Sequence, residues 1–223
     1  MAFNLQTFKT RTLTAIVFAI VMLVGLLWNV WSFIVLFSII HFGCWWEFLK
    51  LIKKISPQKF TNYIPLGLLY ITMPVVMMIH IRTGGFIVWE DFTLLKVVPC
   101  VIIFSIWIND TMAYIVGSFI GKTPFSKISP KKTWEGTIGG AILSVVIISW
   151  LSNLYGIGWW IMVPVICAVF GTLGDLLESK LKRMAGVKDS GTVMPGHGGF
   201  LDRFDSLLIA TPFVWLYIYF FMR

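Results

Sequence analysis

The chain has 223 residues, of which 58% are hydrophobic and 13% are charged, and its formal net charge is +8. Its mean hydropathy is +0.86, and no soluble domain of this size can bury so much apolar surface. The composition therefore indicates an integral membrane protein. A cleaved signal peptide does not explain it, because apolar runs of spanning length recur up to the C-terminus.

Apolar runs of about 17 to 25 residues predict membrane-spanning helices. The fold class expected is all-α, a polytopic membrane protein with about seven such helices and a polar cavity on the cytoplasmic side. Only Asn29 separates the first two runs, which predicts a tight hairpin. The fourth run is long and contains Asn109 and Asp110, so a broken helix or two short helices are expected there. The predicted spans are approximately 12–28, 30–48, 62–82, 95–120, 136–153, 159–182 and 204–221.

Lys and Arg in short loops mark the cytoplasmic side of a membrane protein. If the N-terminus is inside, the predicted cytoplasmic loops are basic, whereas the opposite loops have only Arg82 and Lys96, near span ends. The C-terminus is then outside, and the polar clusters face the cytoplasm from a bacterial inner membrane. The cytoplasmic groups are Lys50, Lys53, Lys54 and Lys59; Lys122, Lys127, Lys131 and Lys132; and Lys182, Arg183, Lys188 and Arg203.

Several classes of site are not predicted. The three cysteines Cys44, Cys100 and Cys167 are widely spaced in apolar runs, which favours packing over disulfides or a metal cage. Zinc spacings, a Walker loop and a dinucleotide fingerprint are missing from the sequence. The basic residues are spread over several loops, so anionic lipids and a phosphate-bearing substrate are expected as partners, and nucleic acid is not.

The first polar cluster lies in the fourth apolar run. A carboxylate there costs roughly 3 kcal/mol unless it meets a partner, a cavity or an ion, so Asp110 is a functional candidate. A hydrogen-bonded core Asp, or a span that ends there, remains the alternative. Gly117 and Gly121 follow at i,i+4 spacing and predict helix packing.

The second cluster is the loop 129–136, with the sequence SPKKTWEG. It precedes a helix start, where backbone N–H groups are unpaired, and Lys131 and Lys132 add positive charge. This combination predicts phosphate binding, with ordinary cytoplasmic positive charge as the alternative.

The third cluster spans residues 171–205 and holds five of the ten carboxylates. Asp175, Glu178, Ser179 and Lys182 share one helix stripe, and Asp202 and Asp205 share another face. Two helix ends joined by a glycine-rich loop can thus direct oxygen ligands to one point, as Mg²⁺ requires. A salt-bridged loop is the alternative. We expect His197 to donate hydrogen bonds or contact phosphate, not to act as a base or metal ligand.

These segments resemble one known family. The stretch from Ser179 to Arg183, then Lys188 to Gly191, and PGHGGFLDRFD at 195–205 are similar to the signature of the phosphatidate cytidylyltransferases, or CDP-diacylglycerol synthases. Residue Met194 stands where that family usually has Leu, Ile or Phe. The resemblance covers roughly 105–205, whereas the N-terminal hundred residues match only as apolar helices. The chain is short for the family, which suggests fewer N-terminal spans.

The resemblance implies transfer of CMP from CTP to phosphatidate, giving CDP-diacylglycerol and pyrophosphate in phospholipid biosynthesis. It implies Mg²⁺ held by Asp175 and Asp202, with Asp205 assisting; a second metal ion and a homodimer are left open. The residues expected in catalysis are Asp175, Lys182, Lys188, Asp202 and Asp205. Those expected to bind substrate are Asp110, Ser129, Lys131, Lys132, Glu135, Ser179, Arg183, Asp189, His197, Gly198, Gly199 and Arg203.

The expected organisation is one membrane domain over 1–223. It comprises N-terminal helices over 1–104, a catalytic segment over 105–205 and a C-terminal helix over 206–223. Two other functions remain open from the sequence. One is a CTP-dependent kinase of a lipid alcohol such as polyprenol or phytol, and the other is a transporter whose charges line a permeation path.

Overall fold

A computed structural model describes residues 5–84, 94–154, 160–193 and 198–221, with side chains from Thr12 onward. The described residues form seven long helices and contain no strand, only an isolated bridge between Pro124 and Thr133. This confirms the all-α prediction. The helices are α1 (Leu5–Leu27), α2 (Val30–Ile55), α3 (Phe60–Thr83), α4 (Leu94–Ile120), α5 (Trp134–Leu154), α6 (Met162–Met184) and α7 (Leu201–Phe221).

Six of these helices, α2 to α7, are long and apolar enough to cross a membrane, and α1 contributes a shorter apolar stretch, Thr12–Leu27. The helix count is therefore close to the predicted seven. Large apolar side chains such as Trp28, Phe42 and Phe119 are more than two thirds exposed. Such exposure is unfavourable in water and ordinary in lipid, so the surface agrees with an integral membrane protein.

Asn29 forms the predicted hairpin between α1 and α2. Its Oδ1 accepts a hydrogen bond from the Ser32 amide at 2.7 Å, and Ser32 Oγ accepts one from the Asn29 amide at 3.0 Å. This reciprocal pair of hydrogen bonds satisfies two backbone N–H groups at the start of α2. Only residues 28 and 29 separate the end of α1 from the start of α2. The tight turn is thus confirmed.

Helix α2 extends beyond the predicted end at 48. Its last two turns are amphipathic: Leu51 and Ile52 are buried, whereas Lys53 and Lys54 are exposed. Burial of one face keeps the chain helical past the apolar run. Helix α3 is irregular, with a 3₁₀ turn at Phe60–Tyr63 and a π turn at Leu68–Thr72 before the regular segment Met73–Thr83.

Helix α4 is continuous through Asn109 and Asp110, so the expectation of a broken helix or two short helices is wrong. It packs tightly against α5 because glycines leave room for the neighbouring backbone. A Cβ added at Gly140 would lie 2.7 Å from the Cβ of Ala113, and one at Gly117 would lie 3.5 Å from the Cα of Gly136. The predicted packing role of Gly117 agrees with this contact.

Helices α6 and α7 form a second antiparallel pair. A Cβ added at Gly174 would lie 3.0 Å from the carbonyl carbon of Asp205 and 3.1 Å from the Cα of Ser206. The absence of a side chain at Gly174 therefore brings the backbone next to Asp175 close to the start of α7. Cys44, Cys100 and Cys167 are free thiols within or against the apolar core, as predicted.

Candidate active site

A cavity of about 450 Å³ lies at one end of the helix bundle. It is enclosed by the C-terminal half of α4, the loop before α5, the middle of α6 and the first turns of α7. All three polar clusters of the sequence meet there. The described lining residues are Asn109, Asp110, Ala113, Tyr114, Gly117, Ser118, Lys131, Lys132, Thr133, Thr137, Thr172, Asp175, Asp202, Asp205 and Ser206.

Three carboxylates form a compact acidic group beside this cavity. Asp175 and Glu178 come from α6 and Asp205 from α7, and one oxygen of each lies within 4.8 Å of the other two. Glu178 is fully buried, and its Oε1 accepts no hydrogen bond from the described residues. A buried carboxylate oxygen without a partner is costly. Three neighbouring carboxylates suit a hard cation such as Mg²⁺, so the donor set fits the predicted metal.

Asp202 also lines the cavity, but the protein itself holds both of its oxygens. Its Oδ1 accepts a hydrogen bond from Lys182 Nζ at 2.6 Å. Its Oδ2 accepts from the Ser190 and Gly199 amides at 2.9 and 2.8 Å, and lies 2.8 Å from Ser190 Oγ. Lys182 Nζ is also 2.5 Å from Glu178 Oε2, so one ammonium group joins Asp202 to the acidic group. Ligation of metal by Asp202 stays a prediction.

Two lysines from the loop before α5 face the cavity. Lys132 forms an ion pair with Asp175, and Lys131 is exposed. Burial lowers the pKa of Lys132 from its ordinary value, and the charges of Asp110 and Asp205 oppose that shift. Asp110 opens to the cavity and accepts a hydrogen bond from Asn109 Nδ2 at 3.3 Å. Ammonium groups placed this way can hold phosphate oxygens.

Glu135 orders the loop 121–133 instead of lining the cavity. Its carboxylate accepts hydrogen bonds from the Lys122 and Thr123 amides at 3.2 Å and from Thr123 Oγ1 at 2.8 Å. The Gly136 amide, at the start of α5, donates to Thr133 Oγ1 at 3.2 Å. The expectation that this helix end offers unpaired N–H groups to a ligand is therefore wrong for Gly136. The Ser129 amide donates to Ser126 Oγ, within the same loop.

Other predicted residues are not among the described residues that line the cavity. Lys188, Asp189 and Arg203 are exposed, Arg183 Nη1 donates to the Val187 carbonyl at 3.1 Å, and Ser179 Oγ donates to Asp175 Oδ1 at 3.4 Å. His197, with residues 194–196, lies outside the described residues.

The glycines at 198 and 199 let the backbone approach a protein carboxylate. Gly198 has a φ of +84°, and a Cβ there would lie 2.6 Å from Asp202 Oδ2. The Gly199 amide donates directly to that oxygen. The approach to Asp202 thus explains the glycine at 198, whereas a Cβ at Gly199 would clash with the Glu47 carboxylate. Contact of either glycine with a substrate stays a prediction.

Glu47 is a buried carboxylate that the sequence reasoning missed. Its Oε1 accepts a hydrogen bond from the Phe200 amide at 3.0 Å, and its Oε2 accepts from the Leu201 amide at 2.8 Å and from Ser190 Oγ at 2.7 Å. It stands in the apolar run WWEFL, so the argument that singled out Asp110 applied equally to it.

An apolar helix bundle with carboxylates and lysines around one cavity defines an integral membrane protein whose site suits a cation and phosphate groups. Residues 86–221 match the model of the cytidylyltransferase family. The chain belongs to that family, which confirms the resemblance described above.

Curated relatives extend the comparison. The chain is 46% identical over 112 residues to the phosphatidate cytidylyltransferase of Staphylococcus saprophyticus, which covers 48% of this chain and 43% of that protein. It is 47% identical over 114 residues to that of Staphylococcus aureus strain COL, with the same coverage. It is 37% identical over 171 residues to that of Bacillus subtilis, covering 74% of this chain and 61% of the relative. The match thus spans less than two thirds of each relative's length.

Proposed function

We propose that this protein transfers CMP from CTP to phosphatidate, giving CDP-diacylglycerol and pyrophosphate for phospholipid synthesis. The observation that carries the proposal is that several carboxylates lie together with Lys131 and Lys132 at one cavity of a membrane protein of the cytidylyltransferase family. The names of the curated relatives support the same reaction.

The chemistry asks for positioning more than for a strong base. A phosphate oxygen of phosphatidate attacks the α-phosphorus of CTP, the bond from that phosphorus to the bridging oxygen breaks, and pyrophosphate leaves with the bonding electrons. The acceptor oxygen is already anionic, so no proton needs to be removed. The main barrier is the approach of two anions, which positioned cations lower. Lys131 and Lys132 are available from the cavity wall, and Lys182, Lys188 and Arg203 are proposed as further cationic contacts.

We propose Mg²⁺ as the cofactor, held by Asp175, Asp205 and Glu178. The unpartnered Oε1 of Glu178 supports its inclusion beside the two aspartates predicted from the sequence. Asp202 is retained as a proposed ligand, and a second ion stays open. A bound Mg²⁺ supplies charge neutralisation at phosphate oxygens. Lys182 holds two of these proposed ligands in place, because its ammonium group pairs with both Glu178 and Asp202.

We also propose that the cavity faces the cytoplasm from a bacterial inner membrane. The loop that lines the cavity carries Lys127, Lys131 and Lys132, in agreement with cytoplasmic positive charge, and CTP is available on that side. The division into N-terminal helices over 1–104, a catalytic segment over 105–205 and a C-terminal helix over 206–223 is kept as part of this proposal.

A single assay tests the reaction. The purified protein in detergent micelles is given labelled CTP, phosphatidate and Mg²⁺, and the expected products are CDP-diacylglycerol and pyrophosphate in equal amounts. A parallel reaction with a lipid alcohol should yield nothing. If the alcohol is phosphorylated and CDP accumulates without pyrophosphate, the protein is a lipid kinase. Metal-dependent binding of CTP without product would point to the transporter alternative.

A further inference from the structure

Glu47 is a buried charge that the proposed reaction does not use. It is only 1% exposed, and it lies on α2, before the segment 86–221 that the family model matches. Burying a carboxylate is unfavourable unless hydrogen bonds compensate for the lost water. All three of its described hydrogen bonds come from the α6–α7 link or the first residue of α7, through Ser190, Phe200 and Leu201. Glu47 therefore connects the α6–α7 link to α2 by hydrogen bonds.

The link held by Glu47 also holds Asp202. Ser190 Oγ lies 2.7 Å from Glu47 Oε2 and 2.8 Å from Asp202 Oδ2, and the Ser190 amide donates to the same Asp202 oxygen. A hydroxyl group has one proton, so it donates to one carboxylate at a time. The Gly199 amide also donates to Asp202, and the amides of the next two residues, Phe200 and Leu201, donate to Glu47. Adjacent backbone groups thus tie the two carboxylates together.

The packing around Glu47 leaves little freedom for another arrangement. A Cβ added at Gly191 would lie 2.7 Å from Cδ of Glu47, and one at Gly199 would lie closer still. One turn earlier on α2, a Cβ at Gly43 would lie 2.5 Å from the Phe200 ring. Three glycines therefore allow the link to pack directly against α2 and its carboxylate.

We propose that Glu47 is a positioning residue, which sets the orientation of Asp202 through Ser190 and the backbone of residues 199–201. Asp202 in turn directs Lys182 toward Glu178 at the edge of the cavity. The expected effect of Glu47 on turnover rests on the proposed function, whereas its effect on the orientation of Asp202 does not. Loss of an outer contact of this kind typically costs about 10- to 100-fold in activity.

The test compares Glu47→Gln, Glu47→Asp and Ser190→Ala with the matched control Ser38→Ala. Ser38 lies on α2 and its Oγ donates to the Ile34 carbonyl, away from the link. Hydrogen exchange is followed in the purified protein at the backbone amides of Ser190 and Gly199, because both amides donate to Asp202 and neither donates to Glu47. A purely local role would expose only the Phe200 and Leu201 amides.

The expected result is that Glu47→Gln speeds exchange at Ser190 and Gly199 by about tenfold or more and lowers kcat by about 10- to 100-fold, with KM for phosphatidate within roughly threefold. Glu47→Asp keeps the charge and should recover part of the turnover. Ser190→Ala should reproduce the fall in kcat, and Ser38→Ala should behave as wild type.

Unchanged exchange at Ser190 and Gly199 in Glu47→Gln overturns the inference, and so does wild-type turnover by that variant. If the wild-type protein makes no CDP-diacylglycerol, the proposed function fails, and the exchange measurement alone decides whether Glu47 positions Asp202.

Discussion

At the scale of single residues, the site depends on how each carboxylate is compensated. Asp175 is paired with Lys132 and Asp202 with Lys182, whereas Glu178 shares Lys182 and keeps one oxygen without a described partner. The sequence placed Glu178 on the correct helix stripe, because i,i+3 spacing follows from helix geometry. It could not show which carboxylates are already occupied, since that depends on contacts from distant segments.

Asp175→Asn and Asp202→Asn should each leave a folded protein that has lost metal-dependent CDP-diacylglycerol synthesis by at least about 100-fold. The amide keeps the size of the side chain and removes the negative charge. Turnover of CTP at saturating Mg²⁺ is the measurement, with gel filtration in detergent as the control for folding. Near wild-type turnover by Asp175→Asn would remove that residue from the metal site.

Glu178→Gln should raise the Mg²⁺ concentration needed for half-maximal activity by about tenfold, because one anionic oxygen is lost. In chelator, the variant should unfold at the same temperature as wild type or higher, since an incompletely compensated buried charge has been removed. A Mg²⁺ titration tests the higher Mg²⁺ requirement, and a thermal scan tests the equal or higher unfolding temperature. An unchanged Mg²⁺ requirement would mean that Glu178 does not bind the metal and serves only as an ion-pair partner of Lys182.

At the scale of helices, small residues determine how closely the walls of the cavity approach. Gly140 brings α5 against α4, and Gly174 brings α6 against α7 next to Asp175 and Asp205. The apolar runs predicted which helices exist, because their length and hydropathy are local properties. They did not predict that α2 continues to Ile55, because its last two turns are amphipathic and lie beyond the apolar run. They also did not predict that Glu47 contacts the start of α7, since Glu47 and Leu201 are more than a hundred positions apart in the chain.

Gly174→Ala should destabilise the protein by about 1 to 3 kcal/mol and lower turnover, because the added methyl group forces α6 and α7 apart beside the acidic group. Gly171→Ala is the matched control on the same helix, since its Cβ would lie 3.4 Å from Ser206 Cβ, an ordinary contact. Thermal unfolding and CTP turnover are measured for both. Equal behaviour of the two variants would contradict the close-packing argument.

At the scale of the whole molecule, the polar groups are concentrated at one end of the bundle. The cavity, the end of α2 and the starts of α5 and α7 share this end, whereas the hairpin at Asn29 joins the opposite ends of α1 and α2. Alternating helix directions and the basic loops made this arrangement predictable from the sequence. The depth of the cavity was not predictable, because Asp175 lies nine residues before the end of α6, about 14 Å along the helix axis.

The proposed orientation predicts opposite labelling of two exposed positions. In a background without native cysteines, Lys127→Cys should react with an impermeant maleimide only after the membrane is opened. Trp28→Cys, in the hairpin, should react in intact cells. The native thiols Cys44 and Cys167 are buried, so their removal is tested separately for its effect on folding. The reverse labelling pattern would place the cavity outside and would conflict with the use of cytoplasmic CTP.

The ion pair between Lys132 and Asp175 implies thermodynamic coupling between two ligands. In the absence of ligands, the lysine serves as an internal counter-ion of Asp175, a carboxylate that we assign to Mg²⁺. Nucleotide phosphates offer Lys132 another anionic partner, and its departure frees Asp175. Each ligand should therefore bind more tightly when the other is present, by reciprocal factors. Calorimetric titrations of Mg²⁺ with and without CTP should show this cooperativity, and Lys132→Met should reduce it while improving the binding of Mg²⁺ alone.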